Sequence, residues 1–352
     1  MIFLKKALII SGVFISGLIG AGFASGSEIL FYFSRYSRFG FFGIVLSVLV
    51  FSIVEYMVII RSMTLKTHSI DEYYKKIMNK FLALVSSLIS YLFMIIIFSA
   101  MLSGSGELFN TLFGMRKIYG VLFMLLSTHL IVSKGYKAFL SAQSIMSVII
   151  VTTILIFGAY MLFFREQSIS VFNNNLEWAT SAISYSSYNL LTAIAVLCIL
   201  SKNSDKKSTL RASVFTFCVL FPILIVLWYI ICIYNGMIVL GAMPLLTIAI
   251  RQSEFMGCFY SITLYASILT TAVSNSYTLI IRISDFINKK IAHYGVMSIG
   301  FFLSGFEFEF IVDILYRFVG ILSIFILLFI AKDYLTRNTK KRFIKIFKEK
   351  RR

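Results

Sequence analysis

Ten stretches of this chain are nearly free of charge and long enough, or nearly so, to cross a bilayer: 7–33, 39–60, 81–104, 118–133, 138–164, 178–201, 212–235, 256–281, 291–306 and 308–331. A hydrocarbon core about 30 Å thick takes about 20 apolar residues of helix, so runs of this kind read as membrane-spanning helices. The fourth is uninterrupted for only 16 residues and extends into its polar flanks. The ninth is short as well. The first is too long for the apolar part of a signal peptide. Of the 352 residues 59% are hydrophobic and only 14% charged, about half the charge of a soluble domain. The expected fold class is all-α integral membrane, with ten transmembrane helices.

The basic residues test that count independently. With a cytoplasmic N-terminus and ten crossings, 26 Lys and Arg fall on the inner side and 6 on the outer side (Arg35, Arg38, Arg116, Lys117, Arg165 and Arg251). This is the positive-inside bias of a polytopic protein, and an error in the count would invert every later loop. Both termini are therefore expected in the cytoplasm, with the chain in a bacterial cytoplasmic membrane. The net charge of +18 follows from topology and needs no nucleic acid partner, since no reading module accompanies it. Residues 1–335 read as one ten-helix transmembrane domain and residues 336–352 as a basic cytoplasmic tail. Phe343, Ile344, Ile346 and Phe347 among the tail's lysines and arginines suit contact with anionic lipid headgroups. The four cysteines (Cys198, Cys218, Cys232 and Cys258) lack metal-ligand spacing and read as buried thiols. No zinc, P-loop or nucleophile motif is present, so neither an enzyme nor an ATP-driven pump is expected, and no cofactor is implied beyond a coupling ion.

Residues 17–28, GLIGAGFASGSE, interrupt the first run with Gly17, Gly20, Gly22 and Gly26. Glycine is poor material for a continuous helix. One plain reading is close packing, because Gly12, Ser16, Gly20 and Ala24 form a small-residue stripe. Two such stripes plus Gly22 and Gly26 favour a broken helix instead. Broken helices in membranes surround a cavity, where freed amides suit a carboxylate and freed carbonyls suit a cation. Gly20, Ala21, Gly22, Phe23, Ser25, Gly26 and Glu28 are accordingly candidates for binding a zwitterionic solute. Glu28 and Glu55 are costly inside a membrane and tend to face cavities or partners. Asp313 and Arg317, four residues apart, suit an intrahelical pair.

The ten runs divide into two fives, 7–164 and 178–331. The sixth run carries its own polar interruption, Ser184 to Asn189, in the place equivalent to the first. Paired interruptions in two oppositely oriented halves point to an inverted repeat. Tyr185, Ser187, Tyr188 and Asn189 are the candidate solute contacts there. In the eighth run, Ser267, Thr270 and Thr271 share one helix face. Their oxygens suit a small hard cation, although serine and threonine in membrane helices commonly bond their own backbone.

IGAGFASGSEIL, with SYNLLTAIAVL in the sixth run and LTTAVSNSY in the eighth, resembles the YkvI-like bacterial membrane proteins. That family is similar to the amino acid–polyamine–organocation superfamily. The resemblance implies a LeuT-type 5+5 inverted repeat with discontinuous helices 1 and 6, and alternating access. It also implies a sodium ion between first-helix carbonyls, here Gly17 and Gly20, and Ser267, Thr270 and Thr271. Proton-coupled relatives often carry a basic residue in the fifth span; 138–164 has none, which favours sodium over a proton. The sixth run departs from the family pattern in having no glycine among residues 178–201. The expected function is ion-coupled symport of an amino acid or related small zwitterion. The alternatives are a transporter-fold solute receptor without net flux and, behind it, a channel.

Overall fold

The structure, a computed structural model, describes residues 2–163, 177–234, 243–306, 308 and 316–349. Among them every regular element is helical. The first run yields α1 (Ile2–Leu18), α2 (Ala21–Ser25) and α3 (Ser27–Tyr32), followed by a 3₁₀ turn at Ser34–Tyr36. Then come α4 (Phe39–Leu65), the short α5 (Ile70–Ile77), α6 (Lys80–Phe113), α7 (Lys117–Ser133) and α8 (Tyr136–Phe163). The second half comprises α9 (Trp178–Ser201), α10 (Lys206–Tyr234), the short α11 (Pro244–Gln252), α12 (Glu254–Ile283), α13 (Lys289–Leu303) and α14 (Tyr316–Glu349). Side-chain caps mark several starts: Ser69, Asn79, Ser253 and Asn288 each accept from an early backbone N–H of the helix that follows.

Seven described helices are long and apolar enough to cross a membrane: α4, α6, α8, α9, α10, α12 and, within α14, Phe318–Thr336. α7 is apolar at 17 residues, and α1 and α13 have 17 and 15. α9 and α12 form the inside of the bundle, with 72% of their apolar windows buried against 33% for α8. Phe81, Leu92, Phe163 and Phe302 stand exposed on the outer surface, as a lipid-facing belt requires.

The helices pair in a mirrored way. α1 packs on α10 as α9 packs on α4; α1 on α8 as α9 on α14; α6 on α7 as α12 on α13; and α6 on α13 as α12 on α7. The short helices take matching places, α5 before α6 and α11 before α12. At the end of the bundle that the charge count assigns to the cytoplasm, Arg61 Nε of α4 donates to Asp333 Oδ2 of α14 at 2.6 Å. Arg282 of α12 pairs with Asp71 of α5 at the same end.

Two sequence expectations need correction. The sixth helix is not discontinuous: α9 runs unbroken from Trp178 to Ser201. Its polar run stays helical because the side chains bond back one turn, Ser186 to Ala182 O, Ser187 to Ile183 O and Asn189 to Tyr185 O. No glycine is present there to lower the cost of unwinding. The cysteines form no disulfide among the described residues, but only Cys198 and Cys232 are buried, while Cys218 and Cys258 are exposed. Asp313 and the Arg317 side chain lie outside the described residues, as do the tail side chains from 337 onward, although α14 itself continues through Glu349.

Candidate solute and ion site

The first span breaks twice. α1 ends at Leu18, and Gly20 is extended (φ −88°, ψ −171°) at the start of α2. Six residues later Gly26 turns left-handed (φ 86°) and starts α3. A residue with a side chain adopts that conformation at a cost of about 1–2 kcal/mol, so glycine belongs at this joint. Around the two joints Ala21, Gly22, Phe23, Ser25 and Gly26 are all buried. Ser25 Oγ donates back to Gly22 O, and the Tyr260 hydroxyl of α12 donates to Ala24 O at 2.7 Å. The N–H groups that open α2 have no preceding turn to accept them.

Beside the first joint lies α12. Thr270 Oγ1 donates to Ser16 O at 3.0 Å. Thr271 Oγ1 is buried, has no hydrogen-bond partner, and faces Gly20 so closely that a Cβ there would lie 3.2 Å away. Ser267 Oγ is bonded to Leu264 O of its own helix. Gly17 lies nearer to Ser274 than to the threonines, with the Ser274 Oγ 4.0 Å from where a Cβ would sit. Of the proposed cation set, the fold thus brings together Gly20, Thr270 and Thr271. The carbonyl that meets Thr270 belongs to Ser16, one residue before Gly17.

Gln143 of α8 closes this contact. Its Nε2 donates to Thr270 O at 2.8 Å, and its Oε1 accepts from Ser16 Oγ at 2.6 Å. Sequence pattern alone does not single out Gln143. The signal it leaves is a lone amide in an otherwise apolar span, which must find partners within the protein.

Glu28 stands in the first turn of α3, 3% exposed, with its carboxylate packed over Gly22. Tyr185 and Tyr188 of α9 lie against it, with Tyr32 of α3 and Tyr316 of α14. The side chains of Ser187 and Asn189 turn back to their own helix and do not reach Glu28's oxygens as hydrogen-bond donors. Glu55 is fully buried in α4, opposite Thr216 of α10, away from this cluster.

Comparison with solved structures defines the class: the chain has the LeuT-type fold of membrane transporters. It matches MhsT in complex with L-phenylalanine at a TM-score of 0.67 and 15% identity, covering 93% of this chain and 86% of that one. It matches a substrate-bound, outward-open Na+-coupled sialic acid symporter at 0.66 and 12%, covering 90% and 75%. These neighbours are transporters, not enzymes. In sequence the chain is similar to the uncharacterized membrane protein YkvI of Bacillus subtilis (strain 168), 22% identical over 322 residues, 89% of this chain and 91% of that protein. No family model matches the chain.

Proposed function

We propose that this protein is a ten-span secondary active transporter, an ion-coupled symporter of an amino acid or related small zwitterion. Its halves, 7–164 and 178–331, are a 5+5 inverted repeat, for which the mirrored helix pairing is the internal support. Both termini and the basic tail face the cytoplasm, the tail against anionic headgroups. The observation that carries the reading is the joint at Gly20, set against the partnerless Thr271 hydroxyl of α12.

The amides at Ala21, Gly22 and Phe23 receive the solute's carboxylate, and Tyr185 and Tyr188 wall its other end. Sodium, favoured over a proton, sits between first-span carbonyls and the oxygens of Ser267, Thr270 and Thr271. Coupling requires only that ion and solute prefer the same arrangement of α1–α3 and α12. The Na+-coupled sialic acid symporter and the L-phenylalanine complex of MhsT support a small organic solute and a sodium ion.

Uptake of radiolabelled amino acids into proteoliposomes, with and without an inward sodium gradient, tests the proposal. Gradient-dependent, saturable uptake is expected; its absence across a broad panel overturns it. Thr271→Val, which removes a hydroxyl without altering shape, is expected to raise the sodium concentration for half-maximal uptake at least tenfold. Combined with Thr270→Val it abolishes the sodium response. An unchanged response removes the ion assignment.

A further inference from the structure

Three helices meet in one closed ring of hydrogen bonds. Ser16 Oγ of α1 donates to Gln143 Oε1 of α8 at 2.6 Å, Gln143 Nε2 donates to Thr270 O of α12 at 2.8 Å, and Thr270 Oγ1 donates back to Ser16 O at 3.0 Å. Each residue gives one bond and receives one, and all three are buried. The partners are not equal. Ser16 Oγ has a second acceptor in its own helix, Val13 O at 3.0 Å, and Thr270 Oγ1 has Ser267 O at 2.9 Å. The Gln143 side chain has no bond outside the ring among the described residues. When the ring opens, both hydroxyls keep an acceptor one turn back, and only the Gln143 amide loses a partner it cannot replace. A buried amide group left so is costly. One turn earlier in α1, Gly12 lies against Ser147 of α8, whose Oγ is 3.1 Å from where a Cβ would sit. Ser147 is four residues after Gln143, so α1 and α8 approach closely along this whole face.

We propose that Gln143 is the positioning residue of the first-span joint: tied to the α12 backbone through Nε2, it holds Oε1 as a fixed acceptor that docks α1 in the rotation placing Gly20 against Thr271. This rests on the carrier reading and adds to it the group that sets how readily the ion-binding arrangement forms. Ser16 is pinned twice, by its carbonyl to α12 and by its hydroxyl to α8. Two bonds in different directions fix a helix about its axis as well as along it. Ser16 stands four residues before Gly20, and Thr270 is next to Thr271, so the register set in the ring is passed directly to the joint. Gln143 acts through Ser16 and Thr270 and is not itself an ion ligand. The ring needs one end that accepts from a hydroxyl and one that donates to a carbonyl, and an uncharged amide offers both.

The test uses the full-length purified protein, with sodium chloride against potassium chloride as the probe and the thermal midpoint as the readout of ion binding. Gln143→Leu keeps the size and removes both bonds. The sodium concentration for half-maximal stabilisation is expected to rise about tenfold, the scale of one buried hydrogen bond. Gln143→Glu separates positioning from packing. A protonated carboxyl donates to Thr270 O and accepts from Ser16 Oγ as the amide does, whereas an ionised one has no proton to give and faces a carbonyl. That variant is expected to bind sodium like the original protein at about pH 5 and about tenfold more weakly at about pH 9, limits that span the range documented for buried carboxyl groups. Both states belong to one folded variant, so a folding failure does not mimic the result, and a role in packing alone gives no such profile. Unchanged sodium dependence in Gln143→Leu overturns the proposal, and so does a Gln143→Glu profile that parallels the original protein's. A distance measurement separates this from the carrier reading. Spin labels at Leu4→Cys of α1 and Lys137→Cys of α8, both exposed, in a Cys218→Ser and Cys258→Ser background, report how α1 lies on α8 without reference to sodium or flux. Gln143→Leu is expected to add a second, longer distance to the one in the original protein. Labels that shift in a protein showing no sodium effect overturn the ion reading and leave Gln143 as the positioning residue of α1. Labels that do not shift overturn the proposal whatever sodium does.

Discussion

Gly26→Ala is expected to destabilise the protein by about 2–5 kcal/mol. Two costs add. The left-handed backbone at φ 86° costs a residue with a side chain about 1–2 kcal/mol. The new methyl also meets Leu245 Cγ of α11 at 2.6 Å and Ile231 Cδ1 of α10 at 3.0 Å, and overpacking of this kind costs about 1–3 kcal/mol. Both neighbours are themselves buried, so neither has room to retreat. Gly17→Ala is the control. Its nearest neighbour is 4.0 Å away, and it lies inside α1, where alanine is favoured over glycine by about 0.5–1 kcal/mol. Thermal unfolding midpoints of the two purified variants are expected to move in opposite directions. Equal midpoints would mean that the second joint carries neither strain nor close packing.

The Arg61–Asp333 pair is the second large effect. Both side chains are nearly enclosed, at 8% and 10% exposure, and the bond bridges α4 and α14, which both pack on α9. Removing one partner of a buried pair costs about 3–5 kcal/mol, because the other charge loses its counter-ion in a medium that solvates it poorly. Arg61→Leu is therefore expected to lower stability by that amount, measured by denaturation in mild detergent. Arg61→Leu with Asp333→Leu is expected to recover most of it, since two apolar side chains of similar size do not leave a stranded charge. A double variant as unstable as the single would place the cost in packing, not in charge.

The apolar runs carried most of the fold into view, because a span must be apolar over most of its length and its helix ends follow from that. The joint near Gly20 was visible for a related reason: between residues 20 and 27 almost no side chain is large enough to pack a helix from all sides. The sixth helix misled for want of the opposite information. A run of serines, tyrosines and asparagine looks like an interruption, but its hydroxyls and amide find acceptors one turn back, and sequence does not reveal which partner a polar side chain will choose. Gln143, Tyr32 and Tyr316 became meaningful only when helices far apart in the chain came together. The same holds for Arg61 and Asp333, separated by 272 positions. The contact of the first span with the eighth was legible as small residues facing hydroxyls, but not its register: the carbonyl that meets Thr270 belongs to Ser16 and not to Gly17, because sequence does not give the rotation of α1.

The contrast between a twice-jointed first span and an unbroken α9 divides labour within the site. On the proposed reading, the short rod Ala21–Ser25 with a joint at each end is the element that rearranges, and the continuous α9 is the fixed wall that carries Tyr185 and Tyr188. Substitutions in α9 would then alter which solutes are accepted, and substitutions at Gly20 or Gly26 would alter how readily the two arrangements interconvert.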